Sequence, residues 1–333
     1  MLGLSLKGTV VIKYKLRLKT GLHIGGAKDA FEIGGIDNPV IKLSAELNLG
    51  DRTIPKGAPY IPGSSLKGKI RSLLEWSIRE PKGIWELEEE ALKKYLDGDK
   101  EVLKPLEKTS VEYMFEKSEG DKEKAGKPCS CGTCSICRIF GVAEVRTLSQ
   151  ITEKITELAK KGLNSTKLLK IFLPGPPRVE FSEAYPTEES INTLKQQLGE
   201  GLYTELKMEN VLNRITSESM NLRTNERVPA GVEFEGEITF DIYSEEDLEL
   251  LSKLLQGLLQ LENTYLGGSG SRGYGRVKFT KLKVIVRGQD YWEKGQEKEL
   301  GKYDSVIDLR KDFDQLKKEI SDALNLNENE QNT

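Results

Sequence analysis

Cys129, Cys131, Cys134 and Cys137 are the only cysteines in the 333-residue chain, and they follow one another as C-x-C-x-x-C-x-x-C. Four soft ligands on one tight turn, with Gly132 inside it, suit a tetrahedral zinc ion. Four thiolates leave no coordination position open to a substrate, so such a zinc is structural. A redox or iron–sulfur centre is the competing chemistry. Crowding also leaves open that one ligand comes from elsewhere. The only histidine, His23, is far away in sequence. A lone histidine without a nucleophile motif beside it gives no hydrolytic triad and excludes a pair of catalytic histidines.

Three further stretches carry chemistry. Residues 21–40, GLHIGGAKDAFEIGGIDNPV, hold His23, Gly25 and Gly26, a second Gly-Gly pair, and two aspartates, Asp29 and Asp37. Residues 266–276, LGGSGSRGYGR, interleave Gly267, Gly268, Ser269 and Gly270 with Arg272, Tyr274 and Arg276. Glycines let a backbone approach closely, while arginine and tyrosine supply charge and stacking, which favours a phosphate or RNA surface over a plain connector. The third stretch is PGSSLKGKIR, with Ser64, Ser65, Lys67, Lys69 and Arg71. A helix beginning there offers free N–H groups and a positive dipole end to an anion. Lys67 and Arg71 are four apart and share a face. The plainer reading is a capped helix with a solvated cationic side. There is no G-x-x-x-x-G-K-[ST] motif, so this is not a P-loop. With a single histidine, any phosphodiester cleavage must use a carboxylate, a lysine or a metal.

Elements with clear periodicity must position these residues. Residues 9–20 alternate, with Val10, Ile12, Tyr14, Leu16 and Leu18 on one side and Lys13, Lys15, Arg17 and Lys19 on the other. This predicts a strand with one buried and one cationic face. After the Pro62-Gly63 turn, Ser64 is a plausible N-cap of an amphipathic helix through Leu66, Ile70, Leu73, Leu74 and Ile78. A strand near 178–181 and an alternating strand over 232–242 follow, then a leucine-rich helix over 245–260 and a last strand over 277–286. Residues 203–229 read as irregular. Residues 81–128 look like a polar insertion of short helices. Residues 288–333 read as a separate appendage with a helix about 304–325, on Ile307, Leu309, Phe313, Leu316, Ile320 and Leu324, and a disordered end. Strand and helix repeated twice, each beside a glycine loop, suggest an α+β fold of ferredoxin-like type.

Charged residues make up 31% of the chain, the mean hydropathy is −0.47 and the net charge is −3. No apolar run approaches the ~18 residues of a membrane span, and the N-terminus lacks a signal-peptide core. The expectation is a cytoplasmic protein without disulfides. Bulk charge predicts no nucleic-acid binding, so such binding requires a local basic face.

Taken in order, the segments GLHIGGAKDAFEIGGIDNPVIK, PYIPGSSLKGKIRSLLE, CGTCSICRIFG, RVEFSEAYPTEES, ELKMENVLNRITSESMNLRTNERVPAGVEFEGEI and LENTYLGGSGSRGYGRVKF closely resemble the Csm-type (type III-A) backbone subunit of type III CRISPR interference complexes, within the RAMP superfamily. The resemblance covers roughly residues 8–287. It implies a modified ferredoxin-like (RRM-like) palm over 1–80 and 171–287, with a thumb hairpin at about 213–229. It also implies an inserted helical lid with the cysteine cluster over 81–170, and a C-terminal extension over 288–333. Such subunits form a filament of copies on a CRISPR RNA guide. They assemble with a large polymerase-like subunit, a small subunit and capping RAMP subunits, and cleave complementary target RNA with a divalent metal, Mg2+ or Mn2+. The aspartate of the family's IDxPV segment carries over to Asp37, whereas Asp29 is not at the matching position. RNA contacts fall on His23, Gly25, Gly26, Ser64, Ser65, Lys67, Lys69, Arg71 and the 267–275 loop, with Arg214, Arg223 and Arg227 in the thumb. The family's zinc motif often begins with histidine, and Cys129 stands in that place here. A non-catalytic backbone subunit of the same complex and a CRISPR RNA processing ribonuclease are the alternatives.

Overall fold

The computed structural model describes residues 5–26, 38–119, 121, 123, 126–142, 148–173 and 175–326. Asp29 and Asp37 lie outside these residues, as does the end of the tail from 327 on.

The central strand, Gly8–Leu18, pairs antiparallel with Glu233–Ile242 on one side and Val277–Arg287 on the other. Val179–Phe181 pairs with the far side of Glu233–Ile242. Helix Gly63–Ser77 follows the first strand, and helix Glu246–Glu262 precedes the last. The chain therefore runs strand, helix, strand, strand, helix, strand, with the fourth, first, third and second strands side by side. That is the ferredoxin-like order expected from the repeated strand–helix pattern.

The buried faces are the ones the alternation selects. Val10, Ile12, Leu16 and Leu18 are at most 1% exposed, as are Phe234, Ile238, Phe240 and Ile242. Both helices press Leu66, Ile70, Leu74, Leu254, Leu255 and Leu258 onto this face. Gly257 lets the helices cross closely, because a Cβ there would lie 2.6 Å from the Ile70 side chain. On the opposite face Lys13, Lys15 and Arg17 stand directly across from Glu237, Glu235 and Glu233. The cationic face read from the sequence is thus matched by the acidic face of its neighbour, with Lys15 and Glu235 3.1 Å apart.

Five expectations change. The tail is not a separate appendage. Its strand Lys298–Ser305 extends the sheet beyond Val277–Arg287. The expected single helix is two, Val306–Lys311 and Phe313–Ala323. Val306, Leu309, Phe313, Leu316 and Ile320 enter the main core, while Ile307 stays half exposed. Residues 203–229 are not irregular but contain a hairpin with arms Glu205–Leu212 and Ser219–Arg227. Ser64 does not cap its helix, whose N-cap is Pro62. The insertion has its own small core around Ile84, Leu92, Ile151, Leu158, Leu168 and Phe172. The cysteine cluster is outside it and belongs to the main core.

Candidate nucleic-acid interface

The two glycine loops are packed against each other. The Gly268 N–H donates to the His23 carbonyl at 2.8 Å, and the Gly275 N–H donates to the Gly21 carbonyl at 2.9 Å. A Cβ on Gly267 would sit 2.2 Å from the His23 carbonyl oxygen, and one on Gly275 would sit 1.9 Å from that of Leu266. Both residues also have positive φ, 75° and 72°. The glycine identity of Gly267 is therefore set by the contact between the loops, and that of Gly275 by the closure of the second loop on itself.

The base of the hairpin closes over the first loop. Leu22 and Val228 exchange backbone hydrogen bonds at 2.9 and 2.8 Å. The His23 Nδ1–H donates to the Glu226 carbonyl at 2.8 Å. A carbonyl only accepts, so a proton sits on Nδ1, and the neutral ring then offers Nε2 as an acceptor. The segment following Asp37 is held by the same strand. Asn38 Nδ2 donates to Asn225 Oδ1 at 2.7 Å, and the Glu226 N–H donates to the Asn38 carbonyl at 3.2 Å. The Glu226 carboxylate accepts from the Val40 N–H at 2.8 Å, from Lys42 and from the Thr204 hydroxyl. Burial by itself would raise the Glu226 pKa, but those hydrogen bonds and the Lys42 charge outweigh it and hold the carboxyl below its ordinary value. Gly26 donates to the Pro39 carbonyl at 3.0 Å, and Ile41 to that of Ile24 at 2.9 Å. Residues 24–26 and 39–41 are thereby joined.

The cations named from the sequence divide into two groups. Arg71 donates to Glu75 (2.9 Å), to the Gly141 carbonyl (3.0 Å) and to the Cys129 carbonyl (2.8 Å). Arg227 pairs with Glu205 at 2.6 Å, and Arg272 with Glu209 at 2.9 Å. Lys67, Lys69, Arg214 and Arg223 make no ion pair among the described residues. Burial lowers the pKa of the Lys67 ammonium, the nearby Arg71 charge lowers it further, and Glu180 opposes both. Lys69 lies 4.2 Å from the centre of the Tyr265 ring, and burial lowers its pKa too. Ser64 is exposed and Ser65 half-buried on the first turn of the same helix. Tyr274 differs from the sequence reading. Its side chain is fully buried and its hydroxyl donates to Glu209 at 2.9 Å, so it presents no face to a base. The sequence reading also missed Glu226, Asn225, Lys42, Thr204 and Glu209, whose roles arise from contacts between segments far apart in the chain.

The four cysteines converge. Their sulfurs lie within 4.8 Å of one another and all four residues are buried. The Sγ atoms of Cys131 and Cys137 are 3.9 Å apart, close to the ~3.8 Å edge of a tetrahedron with 2.3 Å Zn–S bonds. Cys129 completes the quartet, so His23 is not needed as a ligand. Glu75 accepts from the Cys129 N–H at 3.0 Å. Behind the cluster, Glu80 accepts from Ser135, Lys82 and Lys253. Burial would push the Lys82 ammonium toward neutrality, but Cys134, Glu80 and Cys129 keep it charged, above its ordinary value.

Residues 15–278 match the RAMP superfamily. A protein of Methanocaldococcus jannaschii named CRISPR system Cms endoribonuclease Csm3 is 32% identical over 320 residues, covering 95% of this chain and 97% of its own. A protein of the same name from Methanothermobacter thermautotrophicus is 35% identical over 302 residues, covering 90% and 95%. Among solved structures, a chain of the Csm3–Csm4 subcomplex of the type III-A CRISPR–Cas interference complex is 25% identical, with a TM-score of 0.47 and coverage of 94% and 98%.

Proposed function

The chain belongs to the RAMP superfamily, and from that membership we propose that it is the CRISPR RNA-binding backbone subunit of a type III-A effector complex and cleaves guide-paired target RNA through Asp37. Its partners are the guide, the target, further copies of itself and the other subunits of the complex. The observation that carries this reading is the near full-length match to relatives named as Csm3 endoribonucleases. The geometry supports it. The segment following Asp37 is tied to the hairpin and to residues 24–26 of the first glycine loop, and uncommitted cations stand on the helix Gly63–Ser77 and on the hairpin.

RNA brings its own nucleophile, the 2′-hydroxyl. Asp37 is assigned to take up its proton or to face a divalent ion. Such an ion, Mg2+ or Mn2+, neutralises charge at the scissile phosphate when bound. Glu226, the described carboxylate bonded to this segment, is consumed by three donors, and Glu209 farther along the hairpin by Tyr274 and Arg272 with Lys207 3.8 Å away. In the metal-facing role Asp37, the aspartate at the family's position, would be the protein ligand, with RNA oxygens and water supplying the rest of the coordination. Lys67, Lys69, Arg214 and Arg223 hold backbone phosphates, and Ser64 and Ser65 offer hydroxyls beside them. His23 Nε2 is an acceptor for a ribose hydroxyl, and Gly25, Gly26, Gly267, Gly268, Ser269 and Gly270 let the RNA backbone approach. Cys129, Cys131, Cys134 and Cys137 hold a structural zinc.

The test is Asp37→Ala in the complex assembled with guide and offered complementary RNA. Cleavage falls at least about a hundredfold, as loss of a proton-transfer or metal-binding group requires, while guide occupancy is unchanged. Wild-type cleavage at normal occupancy would refute the reading and leave a non-catalytic backbone subunit.

A further inference from the structure

We infer that Glu226 is a positioning residue for target cleavage, joining the root of the Asp37 segment to the base of the hairpin. The inference rests on the Asp37 reading above and assigns a role to a residue that touches neither RNA nor metal. The Glu226 side chain is 3% exposed. Its carboxylate binds the Val40 N–H, Lys42 and Thr204, while its own N–H and carbonyl bind Asn38 and His23. One residue thus fixes both stems of the loop, the His23 side before it and the Asn38–Val40 side after it. Asn38 is a single peptide unit, ~3.8 Å, from Asp37. Displacing Asn38 therefore displaces the point from which the chain runs back to Asp37.

Two observations separate this role from a general contribution to stability. The acceptor atoms reach a backbone N–H within three residues of Asp37, so the contact sets chain position rather than a side-chain surface. Beside it, Asn38 is itself held on the same strand, its side-chain amide donating to Asn225 Oδ1 and its carbonyl accepting from the Glu226 N–H. This is the Asn38–Asn225 bridge. It holds Asn38 in register with the hairpin strand. A displacement of about 1 Å at a reacting group can cost on the order of a hundredfold in rate.

The experiment uses the assembled complex with guide and compares single-turnover cleavage at saturating target, target affinity and guide occupancy. Asp37→Ala is measured first, because retained cleavage there overturns the Asp37 reading itself. Glu226→Ala is expected to lower the saturated cleavage rate by about tenfold to a hundredfold, with target affinity and guide occupancy within about twofold of wild type. Glu226→Gln keeps the length and an acceptor for the Val40 N–H, and recovers most of the rate. Glu226→Asp keeps the charge but is one methylene short, and stays slow. The inference is overturned by wild-type cleavage in Glu226→Ala, or by a rate loss that merely follows lost RNA binding or occupancy. Where Glu226→Ala does not assemble, the order of the other two decides, and an Asp variant faster than the Gln variant overturns it.

Discussion

Replacing Arg71 and Lys67 in turn by methionine separates two duties carried on one helix face. The residues are one turn apart, and both were read from the sequence as phosphate ligands. Arg71 is 14% exposed and spends three of its five N–H donors on Glu75, Gly141 and Cys129. Charged hydrogen bonds of this kind contribute about 1.5–3 kcal/mol each, but not additively. Glu75 keeps its bond from the Cys129 N–H, which limits the penalty left behind. Arg71→Met is therefore expected to cost roughly 3 kcal/mol, at the low end for breaking a buried pair. At about 2 °C per kcal/mol for a chain of this size, melting falls by roughly 6 °C. Because two of the three contacts hold the cysteine turn, zinc is also retained less tightly.

Lys67 has no ion pair to lose, and Lys67→Met is expected to change stability by less than about 0.5 kcal/mol. Its ammonium is depressed by burial and by Arg71, and a phosphate would relieve both effects. Removing it lowers guide affinity at low salt and reduces the slope of log K against log salt by about 0.7, the value for one contact to single-stranded RNA. The assay is fluorescence anisotropy of labelled guide across a salt series, with thermal melting and zinc content on the same preparations. The reasoning is refuted if Arg71→Met melts like wild type and loses about 0.7 from the salt slope while Lys67→Met changes neither.

Two further perturbations test the scaffold. Gly275→Ala introduces a Cβ 1.9 Å from the Leu266 carbonyl oxygen at φ 72°. It should lower melting by several degrees and weaken guide binding, because the second loop can no longer close on itself and present the Gly275 N–H to the Gly21 carbonyl; wild-type melting would show that the loop repacks freely. Native mass spectrometry should find one zinc per chain, and stripping it with a chelator should lower the melting temperature, since the cysteine cluster belongs to the main core. Metal-free protein with unchanged melting would argue against a structural ion.

What the sequence made legible follows from what periodicity and spacing encode. Residues 9–20 and 232–242 alternate because one face is buried under two helices, and the helices show themselves because Leu66, Ile70 and Leu74 recur on one side. The cysteine quartet was legible because its ligands are local. Strand Lys298–Ser305 was not, because it lies at the sheet edge and none of its residues is buried. The hairpin was missed by periodicity for the same reason. Leu206 and Met208 alternate with Lys207 and Glu209, and Met220 and Leu222 with Asn221 and Arg223, but all four apolar side chains are more than half exposed, so the alternation marks no buried face. Tyr274 and Arg71 were misjudged for a different reason. Residue type suggested a ligand, but Glu209 and the Cys129 carbonyl, 65 and 58 residues away, had claimed them.

A net charge of −3 argued against nucleic-acid binding by bulk composition, and the distribution of charge resolves the conflict. Most cations near the core are neutralised where they stand. Lys15 and Arg52 share Glu235, Arg178 and Arg138 share Asp247, and Lys82 and Lys253 share Glu80. Each of these pairs stabilises a junction and adds almost nothing to the field outside the molecule. Among the described residues, Lys67 and Lys69 on the helix that starts at Gly63 and Arg214 and Arg223 on the hairpin make no ion pair. On these two elements RNA would meet a basic surface set by four side chains rather than by the sum over the chain. Its salt dependence should reflect that small number of contacts. A filament of such subunits would gain its grip on a guide by repetition along the strand, since each copy adds its own few phosphate contacts. The same distribution leaves the hairpin free to act on both sides. Arg214 and Arg223 face outward on the hairpin, while Asn225 and Glu226 at its base hold the segment that leads from Asp37.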